Sequence, residues 1–186
     1  KRRPRRSVLY DLVRPVLVPL INAVLSGSIF HAVVILDTNN HSHLSSFQSA
    51  VCFDKKAMQS LDIIIVNWNA GQLLRQCMES IRTTVRNSFE LRRIIVVDNA
   101  STDQSLAELD ELEVSLTVVR NLRNRGFAAA SNQGAYGSEA DYLLFLNPDT
   151  RLFQNSLEKV LTWAERPDNS SFGIVGVTLK NNEGAT

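Results

Sequence analysis

At 186 residues, with 44% hydrophobic and 21% charged residues, the chain is long enough for one domain with a real core. Its composition is that of a soluble globular protein and excludes a disordered or fibrous one. The formal net charge of +1 hides an asymmetry: Lys1, Arg2, Arg3, Arg5 and Arg6 leave a body of 15 basic against 19 acidic residues, which argues against a nucleic-acid partner.

Cys52 and Cys77 show neither metal spacing nor a disulfide framework, and Cys77 falls in a helical pattern as a small core residue. His31, His41 and His43 have no cysteine or acidic cluster beside them, so a metal at His41-x-His43 is disfavoured. No uncharged apolar run reaches the length of a membrane-spanning helix.

Residues 1–60 read as an N-terminal extension. From Val8 to Leu25 apolar residues recur at helical spacing, interrupted by Pro15 and Pro19. A basic tip ahead of that stripe is either a tail and helix packed on the body or, through residues 1–25, a peripheral membrane contact near anionic lipid. Phe30–Leu36 is a candidate strand, and Asp37–Ser46 a polar linker.

From residue 61 to 186 the pattern is regular. Strands are expected over Asp62–Asn67, Arg93–Asp98, Val114–Val119, Tyr142–Leu146 and Phe172–Leu179. Helices are expected over Gly71–Val85, around Leu106–Leu112 with Ser101 or Thr102 as cap, over Phe127–Tyr136 and over Ser156–Glu165. Such alternation implies βαβ units and a mostly parallel α/β sheet with flanking helices, a Rossmann-like arrangement. No internal repeat is visible.

Each of four strands ends in polar residues: Asn67 and Asn69 around Trp68, then Asp98, Asn99 and Asp103, then Asn121, Arg123, Asn124 and Arg125, then Asn147 and Asp149. Pro148 cannot continue a ladder, so the chain leaves the sheet there. Any one group is explained by turns, and Asp149 alone by helix capping. Four groups at the carboxyl edge of one sheet describe a cleft. In it an aspartate accepts from a base or a ribose hydroxyl, arginines neutralise phosphate, and the helix starting at Gly126 and running through Asn132 presents N–H groups to an anion. Asp149 offers the hard oxygen that Mg²⁺ or Mn²⁺ prefers, with diphosphate oxygens as further ligands. The chain has no G-x-G-x-x-G after the first of these strands, no P-loop and no G-x-S-x-G elbow, which argues against dehydrogenases, P-loop NTPases and serine hydrolases.

Asp62-Ile-Ile-Ile-Val-Asn-Trp-Asn-Ala-Gly71, Ile95-Val-Val-Asp-Asn-Ala-Ser-Thr-Asp103, Asn124-Arg-Gly-Phe-Ala-Ala-Ala-Ser-Asn-Gln-Gly134 and Leu144-Phe-Leu-Asn-Pro-Asp149 together resemble family 2 glycosyltransferases, closest to the rhamnosyltransferase-like branch. The resemblance covers about residues 61–182 and implies a GT-A nucleotide-diphospho-sugar transferase fold. It also implies sugar transfer from a nucleotide diphosphate donor, dTDP- or UDP-linked, to a saccharide or lipid-linked acceptor in cell-surface polysaccharide synthesis. The expected setting is the cytoplasm, at the inner face of the membrane.

By motif match Asn67, Asp98, Asn99, Asp103, Arg125, Gly126, Asn132 and Asn147 are the expected nucleotide-sugar-binding residues. Asp149 is the expected metal ligand, because Asn147 stands at the first acidic position of the family's D-x-D motif. Family members continue past this point, and the later half supplies the acceptor site and the base. The expectation is therefore a donor-binding part, truncated at its C-terminus and without the general base; the alternative is a non-catalytic nucleotide-sugar-binding or interaction module.

Overall fold

The computed structural model describes residues 34–37 (backbone only), 58–107, 109, 115–169 and 172–177. The expected Val8–Leu25 helix, most of the Leu106–Leu112 helix, and His31, His41, His43 and Cys52 lie outside them. The elements are β1 (Val34–Asp37), β2 (Gln59–Asn67), α1 (Gln72–Arg82), β3 (Phe89–Asp98), β4 (Leu116–Arg120), α2 (Phe127–Ala135), β5 (Tyr142–Leu146), α3 (Ser156–Ala164) and β6 (Ile174–Gly176).

Six strands form one sheet in the order β4-β3-β2-β5-β1-β6. β4, β3, β2 and β5 are mutually parallel, as βαβ alternation requires. Two strands start earlier than their apolar runs suggest. β2 begins at Gln59 and β3 at Phe89 because each lends the other ladder partners, Gln59 opposite Phe89 and Ser60 opposite Glu90. A register shift between Leu61 and Asp62 absorbs one extra residue of β3.

The candidate strand before residue 61 is part of this sheet. β1 runs antiparallel between β5 and β6, Ile35 opposite both Leu144 and Val175. A strand of four residues carries no signal of which edge it will join, so the sequence pattern alone does not reveal this pairing.

Alternate side chains of β2 divide the core in two. Ile63 and Ile65 face Leu74, Cys77, Met78 and Ile81 of α1 and Leu157 and Leu161 of α3. Ile64 and Val66 join Ile95, Val97, Leu143 and Phe145 against Ala130 of α2. The Tyr142–Leu146 strand is buried throughout, as expected of a central parallel strand with both faces covered. α2 lies close on the sheet because Gly134 has no side chain: a Cβ there would sit 2.6 Å from Ile64 Cγ2 and 3.0 Å from Val97 Cγ2.

The strand order positions the site. β2, β3 and β4 follow one another outward, and β5 then returns to the other side of β2. The strand order reverses between β2 and β5; the helices that follow these two strands, α1 and α3, pack on the same face of the sheet, and the loop after β5 is tied to α1 by Leu152 N donating to Ser80 Oγ (3.0 Å).

Candidate functional site

Asn67, Asp98 and Arg120 lie in register across the carboxyl edge, and Leu146 pairs with Ile65. The polar groups after these four strands thus share one edge, as the spacing predicts. Asn67–Trp68 and Asn147–Asp149 follow the neighbouring strands β2 and β5, where the strand order reverses.

Asn67 and Asp98 form a buried polar pair at this edge. Asn67 is fully buried, and its Nδ2 donates to Asp98 Oδ1 (2.9 Å), Ser101 Oγ (3.0 Å) and Ser105 Oγ (2.8 Å). The carboxylate of Asp98 fixes the amide's orientation, since a carboxylate oxygen accepts and does not donate. The opposite atom, Asn67 Oδ1, is buried without a hydrogen-bond partner among the described residues. Asp98 is 5% exposed, and its Oδ2 accepts a long bond from Ser101 N (3.3 Å).

The loop from Trp68 to Gly71 is laced to the loop after β3. Asn69 has φ of 51°, a conformation asparagine tolerates better than most residues. Its N–H donates to Ser101 Oγ (2.9 Å), and its Oδ1 accepts from Thr102 N (2.7 Å). Gly71, at φ 55° and ψ −133°, occupies backbone space open essentially to glycine and donates its N–H to Asp103 Oδ2 (2.9 Å). Asp103 Oδ1 accepts from Ser105 N (3.1 Å) and Ser105 Oγ. The Ser105 hydroxyl, with the Ser105 and Gly71 amides, holds the Asp103 carboxyl below the usual carboxylate range. Both Asp103 oxygens are thus engaged with the protein. Trp68, inside this braced loop, is 59% exposed.

After β4, Asn99 plays the part that Asn67 plays after β2. It is 2% exposed and bonds to Asn121, Asn124 and the Arg125 amide. Arg123 and Arg125 are exposed, and Arg125 Nη1 donates to Gln133 Oε1 (3.2 Å). Gly126, at φ 80° and ψ 158°, starts α2 without a side-chain cap, so the helix opens on backbone N–H groups. Asn132 is half-buried, more than a turn further along α2, and is the expected site residue set furthest back from the strand ends.

Asn147 and Asp149 form a tight turn closed by Thr150 N to Asn147 O (3.1 Å). Asp149 is exposed, and Asn147 O accepts a weak bond from Cys77 Sγ (3.5 Å). Burial first, and the Asp149 charge second, push the Cys77 thiol up to about 12. Cys77 thus stays a thiol at neutral pH, and among the described residues no group of three or more His, Cys, Asp or Glu is gathered to hold a metal ion.

Pattern reading missed Ser101 and Ser105, whose hydroxyls hold Asn67 and Asp103. It placed Ser101 as a helix cap, whereas its Oγ accepts from Asn67 and Asn69. The spacing of serines after Asp98 was the available signal, but not its direction.

The sequence profile of Glycosyl transferase family 2 matches residues 62–185. The chain belongs to that family. An uncharacterized glycosyltransferase of Haemophilus influenzae is 33% identical over 112 residues, covering 60% of this chain and 37% of the relative. The teichoic acid poly(glycerol phosphate) polymerase of Staphylococcus epidermidis is 32% identical over 99 residues, 51% of this chain and 13% of that one. This chain spans about a third of the length of the first curated relatives it matches.

Among solved structures, residues 1–349 of Staphylococcus aureus TarS in complex with UDP-GlcNAc superpose with a TM-score of 0.52 at 20% identity, covering 57% of this chain and 31% of that TarS chain. The Pyrobaculum calidifontis mannosyltransferase PcManGT in complex with GDP-Man and Mn2+ gives 0.51 at 21% identity, with 57% and 32% coverage. These likenesses establish the GT-A fold for this family 2 chain. Among the described residues no helix is long and apolar enough to cross a membrane.

Proposed function

We propose that this chain is the donor-binding part of a glycosyltransferase that moves a sugar from a dTDP- or UDP-linked donor to a saccharide or lipid-linked acceptor in cell-surface polysaccharide synthesis. The observation that carries the reading is the shared carboxyl edge of the sheet, where Asn67 and Asp98 form a buried polar pair and Asp149 is exposed after the neighbouring strand. UDP-GlcNAc bound to TarS supports it by analogy of fold.

In this reading Asp98 accepts a hydrogen bond from the base or ribose, and the exposed Trp68 ring offers an apolar face beside it. Arg125 and the N–H groups of the first turn of α2, from Phe127 onward, take the diphosphate. Asp149, exposed at the turn after β5, would offer one carboxylate to Mg²⁺ or Mn²⁺, with the donor's phosphates as the further oxygen ligands. When bound, such an ion neutralises charge on the departing diphosphate. No general base is assigned. The Asn147-Pro148-Asp149 spelling supports the rhamnosyltransferase-like branch. The basic run within residues 1–25 supports peripheral contact with the inner face of the membrane, which sedimentation with anionic liposomes tests.

The deciding experiment is a thermal-shift panel with UDP, dTDP and GDP, each with Mn²⁺, Mg²⁺ or EDTA. Ligand at a hundredfold excess over Kd adds about 2.7 kcal/mol of apparent stability. The expected result is a metal-dependent shift for one nucleotide that Asp149→Ala abolishes. A cooperative melt that no nucleotide moves overturns the proposal.

A further inference from the structure

Asn99 lies at the centre of the carboxyl edge, yet its side chain is 2% exposed and spends every polar atom on the protein. Its Oδ1 accepts from the backbone N–H of Arg125 (2.9 Å) and from Asn121 Nδ2 (3.2 Å). Its Nδ2 donates to Asn124 Oδ1 (2.8 Å), and that same oxygen accepts from the backbone N–H of Gly126 (2.8 Å). The two ends of this chain of bonds are main-chain amides, which only donate. Oδ1 of Asn99 must therefore face Arg125, and Oδ1 of Asn124 must face both Gly126 and the Asn99 amide. Neither carboxamide can turn over without setting donor against donor.

The backbone anchors the same loop at its start, Asn121 N donating to Asp98 O (2.9 Å), while Asn99 N donates to Asn67 O (2.8 Å). One buried side chain thus joins the strand end that carries Asp98 to both the Arg125 amide and, through Asn124, the first residue of the α2 turn.

We propose that Asn99 is a positioning residue for the donor diphosphate: it touches no ligand, but clamps the 121–126 loop so that Arg125 and the N-terminus of α2 are preset beside Asp98. The inference rests on the donor-site reading above and adds a division of labour to it. Asp98 serves the nucleoside end, and Asn99 serves the phosphate end indirectly. Aspartate at 99 is nearly isosteric, yet it would set a second acceptor against Asn124 Oδ1 in a buried place. Asn99→Asp is therefore a damaging change, not a conservative one.

The test uses the 186-residue chain as wild type, Asn99→Asp and Asn99→Ala, with Asn124→Ala as a fourth form because Asn124 is exposed and its loss threatens folding least. Two quantities are read. The first is the Kd of whichever of UDP, dTDP or GDP binds wild type best with Mn²⁺, beside the Kd of the matching nucleoside. The second is hydrogen exchange at the Arg125 and Gly126 amides.

The expected result is roughly tenfold weaker nucleotide binding with nucleoside binding held within about twofold, and faster exchange at both amides. Equal loss of nucleotide and nucleoside affinity would overturn the proposal, since a general structural defect moves both. So would nucleotide binding that none of the variants changes, and in that case the donor-site reading would stand. Wild type that binds none of the three nucleotides overturns the donor-site reading, and the phosphate role of Asn99 with it.

Discussion

Two buried polar clusters sit on this sheet, one toward each end of its strands, and they are built on different principles. Toward the amino end, Asp62 is fully buried and pairs with Arg93 Nε at 2.8 Å, while Ser138 Oγ donates to the same oxygen at 2.6 Å. Beside it, Ser60 and Asp141 exchange three bonds: Ser60 N and Oγ to Asp141 Oδ2 at 2.8 and 2.7 Å, and Asp141 N to Ser60 Oγ at 3.0 Å. That cluster ties strands and their connections together through charge. The carboxyl end relies instead on two carboxamides, Asn67 and Asn99, which gather loops without bringing a buried charge of their own. A carboxamide both donates and accepts, so one side chain can orient several loop groups at once. The charged cluster holds the sheet; the neutral one gathers the loops next to the buried carboxylate of Asp98.

The largest expected effect comes from breaking the charged cluster. Asp62→Ala leaves Arg93 and Ser138 without their shared acceptor and is expected to cost about 3 kcal/mol in urea unfolding, with nucleotide affinity of the folded fraction unchanged. Asn67→Ala is expected to cost less stability, about 2 kcal/mol, yet to lose nucleotide binding as well, because Asp98 loses the amide that orients it. Equal effects of the two substitutions on binding would erase the distinction between the ends.

Smaller effects separate the loop contacts by pH. The Asp103 carboxyl is held below its ordinary 3.8, so its bonds to Ser105 and Gly71 favour the folded state above that value. Their contribution is lost as pH falls through the folded-state pKa. The urea-midpoint advantage of wild type over Asp103→Asn should therefore be constant near neutrality and shrink in acid below about pH 4. The last effect, confined to alkaline pH, concerns Cys77. With its thiol pushed up from 9.0 to about 12, the unfolded chain releases a proton that the folded one keeps, so stability should decline between those values. At neutral pH, mass-spectrometric mapping should find Cys77 alkylated by iodoacetamide only after unfolding.

The strands around Ile63, Ile95 and Leu144 were legible because a buried parallel strand must be apolar on both faces, and few other elements leave that run of residues. Helix α1 showed itself through Leu74, Cys77, Met78 and Ile81 on one face. That Asn67, Asp98 and Asp149 share one edge of the sheet was legible because βαβ order alone brings successive strand ends together.

Sequence therefore determined the family, the α/β alternation and the edge at which the chemistry gathers, since these follow from local periodicity and from connections that must run in one sense. The tertiary structure alone decided what each polar side chain at that edge does. Asn99 and Asp103 read alike with Asp98 in the motif, yet Asn99 is buried against the 121–125 loop while Asp103 is exposed and accepts from the Gly71 amide, 32 residues earlier. It likewise decided that Val34–Asp37 joins the sheet between β5 and β6. Hydrogen bonds between segments remote in sequence depend on register and loop path, and a one-dimensional pattern does not carry either.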